Sequence, residues 1–168
     1  MPKEFTGKKV MGAFASPVVL VTASYNGKSN ITTVSMVAGI SFSPLLVCAS
    51  LSHRSFTRNL VDESREFAIN FISHQQLELA KKVGATSGHN IDKLKEFNVV
   101  SIPGKRISCP IIKVAHTALE CIVKDVINLG KHNLYIAEVV TYHEFGTDSP
   151  LYLYHGYYYS SGEKIAAY

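Results

Sequence analysis

Residues 17–25, PVVLVTASY, form an apolar run rich in β-branched side chains, and Asn26-Gly27 follows, the dipeptide that best tolerates the positive φ angles of a two-residue hairpin turn. The next run, SNITTVSMVAGISFS (29–43), mixes Thr, Ser, Val and Ile and reads as an extended strand that the Ser43-Pro44 step bends or interrupts. Residues 45–51 give a third strand. The period then changes: Phe56, Leu60 and Val61 fall at helical spacing, with Ser55 or Thr57 as the N-cap. EFAINFI (66–72) returns to a strand, and HQQLELAKKVGA (74–85) to a helix with Leu77, Ala80 and Val83 on one face, closing near Gly84. Residues 86–98 form a loop with one helical turn. After a connection punctuated by Pro and Gly at 103–110, strands are expected over 116–127, with Leu119, Cys121 and Val123 on one face, and over 133–145. The tyrosine-rich tail, 150–162, ends the sheet structure and is read mostly as core and subunit contact.

Strands thus follow one another with only two short helices between them, without the strand and helix alternation of a parallel α/β sheet, and an antiparallel barrel with peripheral helices fits best. A chain of 168 residues without repeat, low-complexity tract or linker reads as one domain, 1–168. The formal charge of +4 comes from scattered Lys and Arg, which suits a small anionic ligand; nucleic-acid binding is not expected, since no basic face or reading motif is present. Three cysteines without C-x-x-C spacing imply neither a disulfide framework nor a zinc site and suit a reducing interior. The N-terminus lacks a signal-peptide core and no run reaches the roughly 18 apolar residues of a membrane span, so a cytoplasmic protein with no membrane partner is expected.

Glycine-rich dinucleotide and Walker loops, the nucleophile elbow and the H-E-x-x-H helix are all missing, and the seven histidines show no metal-ligand spacing, so no metal is expected. SHRSFTRNL (52–60) is different. A strand end, a hydroxyl-rich turn and a helix start come together there, an arrangement that attracts anions. Ser52, Ser55 and Thr57 can donate to a phosphate and Arg54 or Arg58 can neutralise it. The same residues also suit a plain helix cap with solvated arginines. One strand earlier, Asn30, Thr32, Thr33 and Ser35 form a second hydroxyl cluster, with Thr33 and Ser35 on one side. TTVSM offers short polar groups and apolar contact to a planar heteroaromatic ligand, or simply a strand whose Thr faces water. Gly130-Lys131-His132-Asn133 is a turn that places His132 at a barrel rim, where an imidazole can donate to a ligand or take part in proton transfer, or merely face solvent. His116 and Cys121 read as structural. The residues alone leave these alternatives open.

Taken in order, the pieces resemble the flavin reductase-like family with the FMN-binding split barrel over roughly 16–160. They are SPVVLVTA, N-x-x-T-x-S at Asn30 to Ser35, IS-x-x-P at Ile40 to Pro44, S-x-T at Ser55 to Thr57 and FAIN at Phe67 to Asn70. SG-x-x-x-DK at Ser87 to Lys93, LEC at Leu119 to Cys121, G-x-H-x-L-x-I-x-E-V at Gly130 to Val139 and PLYLYHGYY at Pro150 to Tyr158 complete the series. The resemblance implies a mainly β fold, an antiparallel six-stranded Greek-key split barrel with a few peripheral helices, and a homodimer holding noncovalent FMN near its interface. It implies that Ser55 and Thr57 bind the phosphate, with Arg54 adding charge. Asn30 opens the strand motif, Thr33, Val34, Ser35 and Met36 line the isoalloxazine, and Ser50, Leu51 and Ser52 lie beside it. His132 corresponds to a family histidine near the flavin and the incoming nicotinamide; Lys131 stands where the family usually has Asp. The implied activity is electron transfer from NAD(P)H through FMN to free flavin, a ferric complex or a redox protein. A flavoredoxin-type carrier reduced by a protein donor is the alternative.

Overall fold

The computed structural model describes residues 6–162 and Ala166. Helix α1 (Gly7–Gly12) and the two-residue β1 (Ser16–Pro17) lead into β2 (Val19–Tyr25) and β3 (Lys28–Val34). These pair antiparallel from Val19↔Val34 to Tyr25↔Lys28, about a turn in which Asn26 and Gly27 take φ of 50° and 75°, the hairpin that the dipeptide predicts. Next come β4 (Val37–Phe42), β5 (Leu45–Ser52), α2 (Phe56–Ser64), β6 (Glu66–Phe71), a 3-10 turn at His74–Gln76, α3 (Leu77–Ala85) and α4 (Lys93–Glu96). The remainder is a ribbon of β7 (Ser101–Pro103) and β8 (Pro110–Ile112), the long strands β9 (Thr117–Asn128) and β10 (His132–Glu144), and the hairpin β11 (Leu151–Tyr154) and β12 (Tyr157–Ser160).

The principal sheet is antiparallel in the order β3-β2-β6-β9-β10-β5-β4. Its two ends, β3 and β4, are halves of one extended stretch separated only by Ser35 and Met36. A sheet that begins and ends on the same stretch wraps into a barrel, and Met36 O accepts from Ser50 N at 2.9 Å along the seam. The expected six strands therefore become seven, because 29–43 breaks at the seam and each half pairs with a different edge. Inside the barrel lie Val19, Val21, Leu51, Phe67, Ile69 and Tyr135. A second core, with Leu20, Ile31, Ile72, Ala80, Val83 and Leu151, lies between the barrel wall and α3. Strand β2 serves both cores, which is why PVVLV is apolar at consecutive positions.

Other expectations need correction as well. Residues 74–85 divide into the 3-10 turn, whose Ser73 and Gln76 form a capping box, and α3. The connection at 103–110 is flanked by the β7–β8 ribbon, and α1 precedes the first predicted element. Of the tail tyrosines expected as core, Tyr152 is half-buried but Tyr154, Tyr157, Tyr158 and Tyr159 are exposed, because among the described strands their hairpin pairs with β1 and lies outside the barrel. No helix among the described residues is long and apolar enough to cross a membrane.

Candidate functional site

Along β5 the side chains of Val47, Ala49 and Leu51 point into the barrel, leaving Ser50 and Ser52 on its outer face. The chain then turns into α2 with Ser55 as N-cap residue in extended backbone (φ −80°, ψ 126°), yet the Ser55 side chain makes no capping hydrogen bond. Its hydroxyl instead lines a cavity of about 590 Å³, together with Ser52, Arg54, Asn30 and the loop from Gly84 to His89. The plain-cap reading of Ser55 is thereby corrected. Arg54 is exposed, whereas Arg58 is committed: it donates to Asp62 at 2.5 Å and to His53 O at 3.3 Å.

The cavity has a second cation, which the sequence analysis left without a role. Lys93, the first residue of α4, is 3% exposed and donates from Nζ to Val83 O at 2.9 Å. None of the ion pairs among the described residues includes it, and burial pushes its ammonium down to about 8. The sequence signal was the D-K step itself: Asp92 caps α4, accepting from Lys95 N at 3.2 Å, and so fixes the turn that carries Lys93 inward. Asn30, 2% exposed, donates from Nδ2 to Thr57 Oγ1 at 2.9 Å, while its buried Oδ1 has no partner among the described residues. Thr57 is fully buried below the cavity and lines neither it nor the slot described next. Gly88 is required above Asn30, since a Cβ there would collide with the amide.

A narrower slot of about 170 Å³ adjoins this cavity. The barrel seam supplies Thr33, Val34, Ser35 and Met36 on one side. Ser50, Leu51, Ser52 and Ser55 form the other, with His132 at the mouth. His132 opens β10 opposite Ser52, after a turn in which Gly130 takes φ of 74°. Thr33, Ser52 and Ser55 line both spaces, which therefore adjoin. The Thr33 hydroxyl proton is already given to Ala80 O at 2.6 Å, so of the expected Thr33 and Ser35 pair only Ser35 has a free donor. Every predicted site residue except Thr57 thus borders one of two adjoining spaces: a small slot at the seam and a larger, hydroxyl-lined pocket with Arg54 and Lys93 on its wall.

Other reactive side chains are absorbed by the fold. Cys109 and Cys121 are buried, and burial raises both thiols, that of Cys109 to about 12. His143 contacts Glu120, and His116 contacts Thr117 through Nδ1, while its buried Nε2 has no partner among the described residues. Among the described residues no group of His, Cys, Asp or Glu is arranged to hold a metal.

A sequence model described as the flavin reductase like domain matches residues 11–162. The reductase component of a 4-nitrophenol 4-monooxygenase/4-nitrocatechol 2-monooxygenase from Rhodococcus opacus is 33% identical over 149 residues, covering 89% of this chain and 76% of that one. An uncharacterized protein of Archaeoglobus fulgidus is 29% identical over 113 residues, covering 67% of this chain and 64%, just under two thirds, of that protein. Among solved structures, an FMN-binding protein from Thermus thermophilus superposes with a TM-score of 0.85 at 24% identity, covering 99% of this chain and 97% of the other, which shows a shared fold.

Proposed function

Because the chain belongs to the flavin reductase like family, we propose that it binds FMN noncovalently and passes electrons from NAD(P)H through it to an acceptor. The observation that carries this reading is Lys93: a buried ammonium without an acidic partner among the described residues, on the wall of a cavity that is also lined by Arg54 and by Ser55, whose side chain makes no capping bond. Leaving such a charge unpaired is costly, and a phosphate supplies the missing counter-ion. The unpartnered Oδ1 of Asn30 fits the same ligand, because the ribityl hydroxyls beside the phosphate are donors. The slot between the seam and the β5–β10 wall would then take the ring, with Ser35 and Ser50 toward its polar edge, Met36 as apolar contact and Leu51, whose side chain lies inside the barrel, offering its backbone.

Bound flavin supplies the electron-transfer chemistry; the protein supplies binding, orientation and hydrogen bonds. Hence no acid/base pair is needed in the slot. His132 stands where it can donate to the flavin edge or orient an incoming nicotinamide. Lys131, exposed in the turn beside it, favours anionic partners, and gives the carrier reading its one specific support: an acidic redox protein would be steered there. Free flavin and ferric complexes are the small-molecule acceptors of the leading reading. Edge strand β4 is exposed at Ile40 and, at 96%, Phe42, with Leu45 beside them, a surface suited to a second copy of the chain, so the reading includes a homodimer.

Anaerobic titration of the FMN-loaded protein with NADH and NADPH tests the enzyme. Bleaching of the flavin band by at least one is expected. Bleaching by neither, with reduction by a low-potential protein donor, leaves the carrier. A protein that ignores both FMN and riboflavin refutes flavin binding altogether.

A further inference from the structure

Behind the slot, on the inward side of the same two strands, runs a chain of hydrogen bonds that flavin binding leaves unused. Residues directly opposite in an antiparallel pair share a face. His132 and Ser52 therefore face the slot together, while Asn133, paired with Leu51, and Tyr135, paired with Ala49, point into the barrel. There the Tyr135 hydroxyl donates to Asp62 Oδ1 at 2.5 Å, the Asn133 amide donates to the Tyr135 oxygen at 3.4 Å, and Asn133 Oδ1 meets His53 Nε2 at 2.8 Å. Arg58 closes the ring by binding Asp62 and the His53 carbonyl at once. The direction of each bond follows from Asp62. A carboxylate only accepts, so Tyr135, whose phenol burial keeps protonated, gives its proton there. The Tyr135 oxygen then takes the Asn133 N–H, Asn133 Oδ1 is left for His53, and the His53 proton must sit on Nε2.

We propose that His53 and Asn133 are positioning residues for reduction of the flavin, holding His132 in register with the anion pocket without lining either space themselves. The inference rests on the flavin reading above and deepens it. The paired register of β5 and β10 ends at Ser52 and His132, and past that pair two bonds continue the connection: His53 N donates to Lys131 O at 3.0 Å, and the His53 ring donates to Asn133. In sequence His53 lies between Ser52 of the slot and Arg54 of the pocket, and Asn133 follows His132. The pair is thus a side-chain link between the turn beside the anion pocket and the turn that carries the imidazole. Without it the strand end at His132 is held by backbone alone, and a shift on the order of 1 Å near a reacting centre can cost about 100-fold in rate. The pocket keeps its own supports, Ser55 N to Ser52 O and Lys93 Nζ to Val83 O, each at 2.9 Å, so the grip on phosphate should survive.

Anaerobic stopped-flow reduction of the FMN-loaded full chain by NADH and NADPH, with FMN titration and the unfolding midpoint alongside, tests this on His53→Ala, Asn133→Ala, the double variant and His53→Gln. Loss of either partner is expected to lower the limiting reduction rate about 10-fold, part of the full cost of misplacement, while FMN affinity changes by less than about 3-fold. The double variant should be no slower than the slower single one, because the two groups act through one bond. His53→Gln, whose side-chain N–H can reach the same acceptor, should recover most of the rate. An unchanged rate, a rate that falls only in step with FMN affinity and the unfolding midpoint, independent effects in the double variant, or a Gln variant no faster than the Ala variant overturns the positioning role and leaves the flavin site standing. Failure of the flavin reading shows in the wild type before any variant is made: a protein that binds no FMN, or binds it and is bleached by neither nicotinamide, removes this assignment together with the reading beneath it.

Discussion

Two buried polar clusters in this molecule have opposite bookkeeping. Around Glu120, fully buried on β9, every valence is filled: its carboxylate accepts from Lys105 N and Arg106 N at 2.7 Å each, from Ile107 N at 3.1 Å, and contacts His143 Nε2 at 2.6 Å. Burial alone would raise this carboxyl; the Lys105 N–H, the His143 ring and the Arg106 N–H outweigh it and hold the carboxyl below its ordinary range. Around Asn30 and Lys93, also buried, valences are left over among the described residues: an amide oxygen without a donor, an ammonium without an anion, and nearby the Ser55 hydroxyl without a capping bond. Unfilled buried groups are few in folded proteins, and a ligand that fills three neighbouring ones at once would account for them here. The closed cluster is structure, pinning the loop at 104–108 to the barrel; the open one is where the proposed phosphate would bind.

Removing the central group of each cluster should therefore have opposite effects on stability. Glu120→Ala strands three backbone N–H groups in a buried setting and is expected to cost about 3–5 kcal/mol in denaturant unfolding, with little change in flavin affinity. Lys93→Met removes a buried, unpaired charge. It should stabilise the flavin-free protein at pH 7, by up to about 3 kcal/mol if the whole depression of its ammonium is recovered, and weaken FMN on the order of 100-fold. Riboflavin, which lacks the phosphate, should lose much less. If Lys93→Met destabilises the free protein instead, Lys93 belongs with Glu120 as a structural group and the contrast fails.

Acid and base separate the clusters again. The depressed carboxyl of Glu120 contributes stability at pH above its unfolded value of 4.5, and that contribution is lost as pH falls through its lower folded value. Lys93 works in the other direction. Its folded value, about 8, lies below the unfolded 10.5, so in that window the unfolded chain holds a proton the folded one lacks. Free-protein stability should rise across the window. Bound phosphate holds the proton on Lys93, so phosphorylated flavins should bind more weakly above about pH 8 while riboflavin does not. Pulse proteolysis and flavin titration across pH 6–10 measure both slopes; parallel slopes for FMN and riboflavin would show that Lys93 does not touch the phosphate.

What the sequence revealed of this comparison depends on how local each feature is. The Asn26-Gly27 hairpin and the turn carrying Arg54 and Ser55 were legible because neighbouring residues determine them. The break at Ser35–Met36 was not: residues on both sides favour strand equally, and only pairing with two different edges, β2 and β5, decides where the stretch divides. Lys93 received no role of its own because its burial depends on the packing of α4 against β3, far away in sequence, and on the Val83 carbonyl of α3. Thr57 erred the other way. Two steps along a helix turn a side chain to the opposite face, so once Ser55 faces the cavity Thr57 faces the core, where it holds Asn30 in place.

That division of labour between Ser55 and Thr57 gives the finest test. Replacing an ordinary N-cap serine by Ala costs about 1 kcal/mol of helix stability. Ser55 makes no such bond, so Ser55→Ala should leave the unfolding midpoint nearly unchanged and weaken FMN by roughly 5-fold, one neutral donor to the phosphate. Thr57→Val should do the reverse in part: the buried Nδ2 of Asn30 loses its acceptor, so the fold is weakened directly and flavin affinity falls only through the loosened amide. Thr57→Ser, which restores the hydroxyl, should recover most of that affinity. A Ser55→Ala protein with an unaltered FMN affinity would move the phosphate away from the mouth of α2 and leave Lys93 and Arg54 as its only anchors.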